Sequence, residues 1–583
     1  MRKRFLRLSA LVLCLLLLCG CGSEAALGNS LRQIGSAARS LREIFDGVHG
    51  DEIPRFSEMV YERPSVEEFQ DRVQAAMDAI NEGVSYNKLT GLLDKCYDSY
   101  YHFDTMYCIA DIRNSQDMTD SYYSAEYSWC DENYYLLQKS FEELFRACAA
   151  CEHGPKLEEQ YFWPGFCEDY SSDSQSYFYE EALSLMQQES ELLSRYRSIT
   201  AAPTVEVDGQ IYDYNEYIQT LEGAEYNRVN MLYYRQYNEQ LSDVYIDLVR
   251  VRTQLAKELG FESYEQMQYL YTFERDYTPE EAEEYFRQVR EHVVPVYKKA
   301  MADMIYTDFY YEPVGEEELL STVGAAMGQM GEEISEAFDF MIRYELYDVK
   351  ESRKKLNLSY QSYLTEYDAP FLFMYPYGDT EDMLTLAHEF GHYVDAYTNY
   401  NAYETIDLSE CYSQAMEYLM LFYLEDVLDE AELENLRRIK MFDTIDLYVQ
   451  QCSFAEFESR VYEMGADNLS AEILNELSLQ LAKDYGYYEL GYDDYYAMSW
   501  SDIPHFFESP FYVVSYPISN DVALQIYELE KQQSGAGVDM FCTMLPRQYE
   551  GLMDSALAAG LSSPFEKGRL EQIAQDVGTQ LFG

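Results

Sequence analysis

The chain has 583 residues, 47% of them apolar and 16% aromatic: enough core-forming material to exclude whole-chain disorder, and too much for one ordinary core. Forty-two Lys and Arg stand against 105 Asp and Glu, a net charge of −63. Phosphate backbones and anionic bilayers repel such a chain, so nucleic acid is excluded as a partner and any membrane association needs an anchor.

From the N-terminus, Arg2, Lys3, Arg4 and Arg7 precede a mostly apolar stretch over 8–18, which reads as a signal peptide and is too short to span a bilayer comfortably. It ends in Leu18-Cys19-Gly20-Cys21, which resembles a bacterial lipobox. The resemblance implies a lipidated Cys21 as the first mature residue, and an exported protein held by acyl chains on the extracytoplasmic face of the cell membrane. The expected division is a signal at 1–20, a tether at 21–55, an N-terminal helical domain at 56–203 and a second, larger domain at 204–583.

Residues 66–198 carry apolar positions at helical spacing, interrupted from Gly154-Pro155 to Pro164. Six cysteines lie between Cys96 and Cys167. Cys148-Ala-Ala-Cys151 is the one CxxC; it fits a redox pair, and without a second pair it reads as a disulfide or a buried thiol rather than a zinc site. The alternation of Thr204–Tyr212 around Asp208-Gly209 predicts a hairpin. Helical patterns return over 222–346, with Thr278 as N-cap and Pro279 at the first helical position. Pro370 to Tyr377 is apolar and aromatic, and its two prolines predict an edge strand or extended segment able to pair with a peptide backbone, with an ordinary core-packing strand as the alternative. The 59 tyrosines, read with the acidic residues, imply a wet, hydrogen-bonding surface. The fold class expected is mostly α, with a small sheet beside the helix described next.

That helix contains His388-Glu389-Phe390-Gly391-His392, an HExxH sequence that arises by chance on the order of 0.01 times in a chain with seven histidines. Asp379 and Thr380 are placed to cap it, and Met383, Ala387, Phe390 and Val394 form its apolar face. His388 and His392 are one turn apart, so two imidazoles can meet one Zn²⁺. Glu389 is rotated by about 100° from His388, beside the ion rather than on it, as a general base for water. The metzincin continuation is absent, since Asp395 and Thr398 stand where Gly and His are required. Glu410, on a helical run from Asp407 to about Leu428, is the expected third ligand, with Glu404 as the weaker rival. Asp407-x-x-Glu410 also fits a capping box loosely. Glu417, two turns on, is placed behind a ligand histidine, and Asp395 is a second candidate to orient His392.

The segment Ser409-Glu410-Cys-Tyr-Ser-Gln-Ala-Met-Glu417 after HEFGH resembles the M3 family of zinc metallopeptidases, thimet oligopeptidase and, more closely, oligoendopeptidase F. Ser409 and Tyr412 depart from alanines of the family pattern, while both glutamates keep their spacing. Trp500-Ser-Asp-Ile-Pro-His505 and Phe511-Tyr512-Val-Val-Ser-Tyr516 resemble a second family motif. The resemblance implies a large two-lobed helical body split by a deep substrate channel, one Zn²⁺ per chain, and hydrolysis of short unstructured oligopeptides. It further implies that His505 and Tyr512 or Tyr516 donate to the developing oxyanion. Two rival classes stay open: a catalytically silent peptide-binding surface lipoprotein, and a different HExxH hydrolase acting on folded proteins.

Overall fold

The computed structural model describes residues 52–162, 165–170, 180–201, 203–400, 405–546 and 551–583. Most described residues are helical. The signal, the lipobox with Cys21, and Glu404 lie outside the described residues.

Helices α1 (Val66–Asn81), α2 (Tyr86–Gln116) and α3 (Ser121–Ala150) pack on one another around Phe69, Leu93, Phe103, Phe141 and Phe145. Ser65 and Asp120 cap α1 and α3 by accepting N–H groups of the first turn. The long α2 serves two cores. Leu89 to Tyr107 face this bundle, whereas Ile109, Ala110 and Ile112 belong to the main core, which runs on to Leu581. The interruption expected at Gly154-Pro155 is present, since α3 ends at Ala150 and a separate short helix begins at Gly154. Pro155 sits in the first turn of a short helix, Gly154–Gln160, where a missing N–H removes no hydrogen bond.

The expected hairpin is present. Strands β1 (Thr204–Val207) and β2 (Gln210–Asp213) pair antiparallel across Asp208 and Gly209, both at positive φ, the geometry a two-residue turn demands. Helix α4 (Gly223–Glu258) follows. Thr278 caps the helix that starts at Pro279, in a full capping box with Glu281.

A three-stranded sheet underlies the HExxH helix, in the order β3 (Tyr347–Asp348), β5 (Ala369–Phe373), β4 (Tyr360–Leu364). The expectation of an edge strand is overturned, because β5 is central and buried along its whole length. Pro370 is tolerated there because β3 pairs only with Leu372 and Phe373, leaving β4 as the sole neighbour at the proline.

Helix α5 (Asp382–Asn399) rises from this sheet and packs on α6 (Ile406–Met420). Met383, Ala387, Phe390 and Val394 are all buried, as their spacing predicts. The approach to α5 is held by Asp382, whose carboxylate accepts N–H groups from Tyr377, Gly378 and Asp379. Asp379 accepts the Glu381 N–H and Thr380 Oγ1 makes no hydrogen bond; the N-cap position is Glu381 and no side chain caps the first turn, so the expected capping pair is corrected. Helix α6 ends at Met420 instead of near Leu428. Beyond it, α7 (Glu430–Met464) and α8 (Ser515–Gln532) complete the surroundings of the site.

Many tyrosines are core residues rather than surface ones. Tyr245, Tyr285, Tyr393, Tyr412, Tyr418 and Tyr448 are fully buried. Tyr285 and Tyr412 donate to main-chain carbonyls of Pro517 and Met544, which is how a phenol enters a core at low cost. The nine described cysteines are free thiols, so the buried-thiol reading applies to Cys148 and no disulfide joins the described residues.

Candidate metal centre

The site is assembled where α5 meets α6. Gly391 makes the meeting possible: a Cβ placed there would lie 2.5 Å from Ser413 Cα and 2.6 Å from Tyr412 O. Only a residue without a side chain lets the two backbones approach so closely. The same approach carries Glu410 to the histidines. Glu410 Oε2 is 3.6 Å from His388 Nε2 and 3.9 Å from His392 Nε2. One donor atom from each of the three residues lies within 4.8 Å of the others, and this trio is the metal-competent cluster among the described residues. Glu410 takes no part in a capping box; Thr405 is the N-cap of α6, and Asp407 pairs instead with buried Arg275.

The donor set fits a zinc ion. His388 Nε2 is buried and has no hydrogen-bond partner, as a nitrogen reserved for a metal must be. The other ring nitrogen is held by Glu417, with His388 Nδ1 2.8 Å from Oε1, as the spacing of the two glutamates led us to expect. His392 Nδ1 is 3.0 Å from Ser409 Oγ. The expectation of Asp395 behind His392 is therefore corrected. Asp395 is buried on α5 and accepts from Asn399 at 2.7 Å, while the neighbouring helix supplies the hydroxyl that holds the ring. Ser409 is one of the two departures from the family pattern, and this contact gives that departure a purpose.

Electrostatics divide the two imidazoles. Burial depresses His392 to about 4, keeping it neutral and ready to ligate. Burial also opposes charge on His388, but the hydrogen bond and charge of Glu417, with Glu410 and Glu389, lift it to about 9 in the metal-free protein. Glu389 is completely buried, and neither carboxylate oxygen has a hydrogen-bond partner. Burial, with the charges of Glu410 and Glu417, raises it to about 8 against the opposing pull of His388. A divalent cation at the adjoining donors favours its ionised form.

His505, Tyr512 and Tyr516 gather beside Glu410. The His505 ring lies 5.3 Å from that of Tyr512 and 6.2 Å from that of Tyr516, and the two phenols are 5.4 Å apart. Both ring nitrogens of His505 are buried without a hydrogen bond, and burial depresses it to about 4, so it is a neutral donor or acceptor. Tyr512 Oη donates to Glu410 Oε1 at 2.6 Å, which ties this phenol to the candidate ligand. Its loop is clamped from two sides. Phe511, at φ 65°, gives its N–H to Glu458 at 3.0 Å and its carbonyl to Arg275 at 2.8 Å. Left-handed backbone at a phenylalanine is unfavourable, and both clamps are buried.

Sequence reasoning missed Ser409, Gly391, Glu458 and Arg275. The glycine inside HExxH was a signal for close helix approach; the other three depend on contacts that no local spacing reveals.

An HExxH helix met by a second helix that brings a carboxylate to the two histidines is the arrangement of a candidate metallopeptidase-type centre. The chain belongs to the M3 peptidase family: residues 56–164 match the peptidase M3 N-terminal domain and residues 333–545 match peptidase family M3. It is 31% identical over 177 residues to an oligoendopeptidase F homolog of Borreliella burgdorferi, covering 28% of this chain and 29% of that protein. It is 26% identical over 231 residues to oligopeptidase PepF of Bacillus subtilis, covering 38% and 34%. These matches span about a third of the relatives' own length. Two solved structures share the fold across nearly the whole chain. One, described as an oligoendopeptidase F, has a TM-score of 0.77 at 21% identity and covers 91% of this chain and 99% of its own. The other, PZ peptidase A with an inhibitor, has a TM-score of 0.75 at 21% identity and covers 90% and 99%.

Proposed function

We propose that the protein is a zinc-dependent endopeptidase that hydrolyses short, unstructured oligopeptides. The observation that carries this reading is the convergence of His388, His392 and Glu410 donors beside a buried, unpartnered Glu389. A zinc ion held by the trio would polarise the scissile carbonyl and acidify water. Glu389, ionised beside the cation, would accept a proton from the attacking water and return it to the leaving amine. His505 and Tyr512 or Tyr516 donate to the oxygen on which charge develops. Glu417 and Ser409 keep the imidazoles oriented throughout. Pure zinc binding has no use for an isolated carboxylate at Glu389, which disfavours a silent binding protein.

The test is cleavage of a short quenched-fluorescence peptide by purified protein, with and without chelator, and by Glu389→Gln. Cleavage lost on chelation and in Glu389→Gln, with zinc still bound by the variant, supports the proposal. Zinc-loaded wild type that cleaves no member of a peptide library refutes it, and efficient cleavage of folded proteins moves the reading to another hydrolase class.

We also propose, from the lipobox alone, that Cys21 anchors the protein to the outer side of the cell membrane. No described helix is long and apolar enough to cross a membrane. Incorporation of labelled fatty acid into the wild type but not into Cys21→Ser tests this anchor; equal labelling of both, or of neither, refutes it.

A further inference from the structure

Behind the metal centre stands a buried cation. Lys440, in the first half of α7, is 3% exposed, and its Nζ donates to Glu417 Oε2 at 2.6 Å. The other oxygen of the same carboxylate is the partner of His388 Nδ1 at 2.8 Å. Ammonium, carboxylate and imidazole therefore form one line that crosses from α7 through α6 to α5. The Tyr418 ring lies 4.5 Å from the ammonium and completes its enclosure.

This arrangement is not explained by stability. Burying two opposite charges costs several kcal/mol in desolvation, and well-packed apolar side chains of similar size do as well or better. What the ion pair does supply is geometry. A carboxylate with one oxygen on a histidine can turn about its terminal bond, or offer either oxygen. With the second oxygen fixed on Lys440, one orientation remains, and Oε1 accepts from His388 Nδ1–H. In the neutral ring that a metal requires, the proton is then held on Nδ1, and the Nε2 lone pair faces Glu410 and His392.

We propose that Lys440 is a positioning residue for the metal centre, acting through Glu417 to fix the tautomer and ring orientation of His388. The inference rests on the zinc reading above. No short motif announces it: Lys440 falls within the 333–545 family match but outside both motifs, 409–417 and 500–516, that carry the site.

The experiment is a double-mutant cycle on zinc affinity, with competition against a chromophoric chelator as the readout. The proteins are wild type, Lys440→Met, Glu417→Gln and the double variant, each first checked for folding by thermal unfolding without metal. Lys440→Met is expected to weaken zinc binding about tenfold in the wild-type background and less than twofold in Glu417→Gln, because the effect passes through Glu417. Losses that multiply in the double variant, or a folded Lys440→Met that binds zinc within twofold of wild type, overturn the proposal. If Lys440→Met does not fold, Lys440→Gln takes its place in the same cycle, with the same outcomes deciding. Wild type that binds no zinc would refute the metal centre itself, an outcome distinct from an unperturbed Lys440 variant.

Discussion

Gly391→Ala is the sharpest probe of how the site is built. The added methyl would sit 2.5 Å from Ser413 Cα and 2.6 Å from Tyr412 O, against the 3.4 Å at which ordinary contact begins. Both neighbours are backbone, so no side chain can swing aside. Helices α5 and α6 must part by about 0.9 Å, the difference between those two distances. Zinc ligands tolerate about 0.2 Å, so Glu410 can no longer share an ion with His388 and His392. Overpacking costs roughly 1–3 kcal/mol, offset by about 1 kcal/mol because alanine is the better helix former. The fold therefore survives while the site does not. A misplacement of this size lowers kcat/KM by about a hundredfold. The assays are zinc competition, peptide cleavage and thermal unfolding on the same preparation. A Gly391→Ala protein that keeps wild-type zinc affinity within twofold would refute the argument that close helix approach assembles the centre.

Three further predictions use other parts of the structure. Glu458 is fully buried, and burial raises it to about 8, against the Phe511 N–H and the charges of Arg252 and Arg275. A carboxyl raised above its unfolded value of about 4.3 makes the folded state bind the extra proton, so stability falls as pH rises between those values, by about 1.4 kcal/mol per unit. Glu458→Gln should flatten this slope and gain stability over the wild type as pH rises from 4 to 8; parallel melting-temperature profiles would contradict it. Tyr512→Phe removes the donor to Glu410 and should lower kcat about a hundredfold while weakening zinc less than tenfold. Zinc loss as deep as in Glu410→Gln would instead make Tyr512 a support for the ligand. The net charge of −63 should draw cationic peptides, giving Lys-rich substrates a higher kcat/KM than Glu-rich ones at low salt, and equal values at low salt would dismiss the idea.

The legible parts of this molecule are those in which chemistry follows from spacing along one element. His388, Glu389 and His392 occupy one and a half turns, and Glu410 and Glu417 two turns, so their faces could be read directly. The hairpin at Asp208-Gly209 was legible for the same reason, since two residues at positive φ demand that turn. What remained hidden arises between elements. Lys440 lies 23 residues beyond Glu417 and resembles any lysine of an acidic helix until α7 is packed on α6. Asp395 was a candidate to orient His392, with a solvated helix face as its alternative, but it is buried, and the hydroxyl that holds the ring comes from Ser409, 17 residues away. Pro370 marked an edge strand by rule, yet β5 is central because its partner β3 is too short to reach the proline. The abundance of tyrosine suggested hydroxyls facing water, whereas many lie in the core, because composition carries no information on where each hydroxyl finds its acceptor.

The most direct trial of the central claim is anomalous diffraction at the zinc edge on crystals of the purified protein. One peak is predicted, within bonding distance of His388 Nε2, His392 Nε2 and a Glu410 oxygen, with Glu389 beside it but not bonded. No peak in zinc-soaked crystals, or a peak that leaves Glu410 pointing elsewhere, would contradict the account.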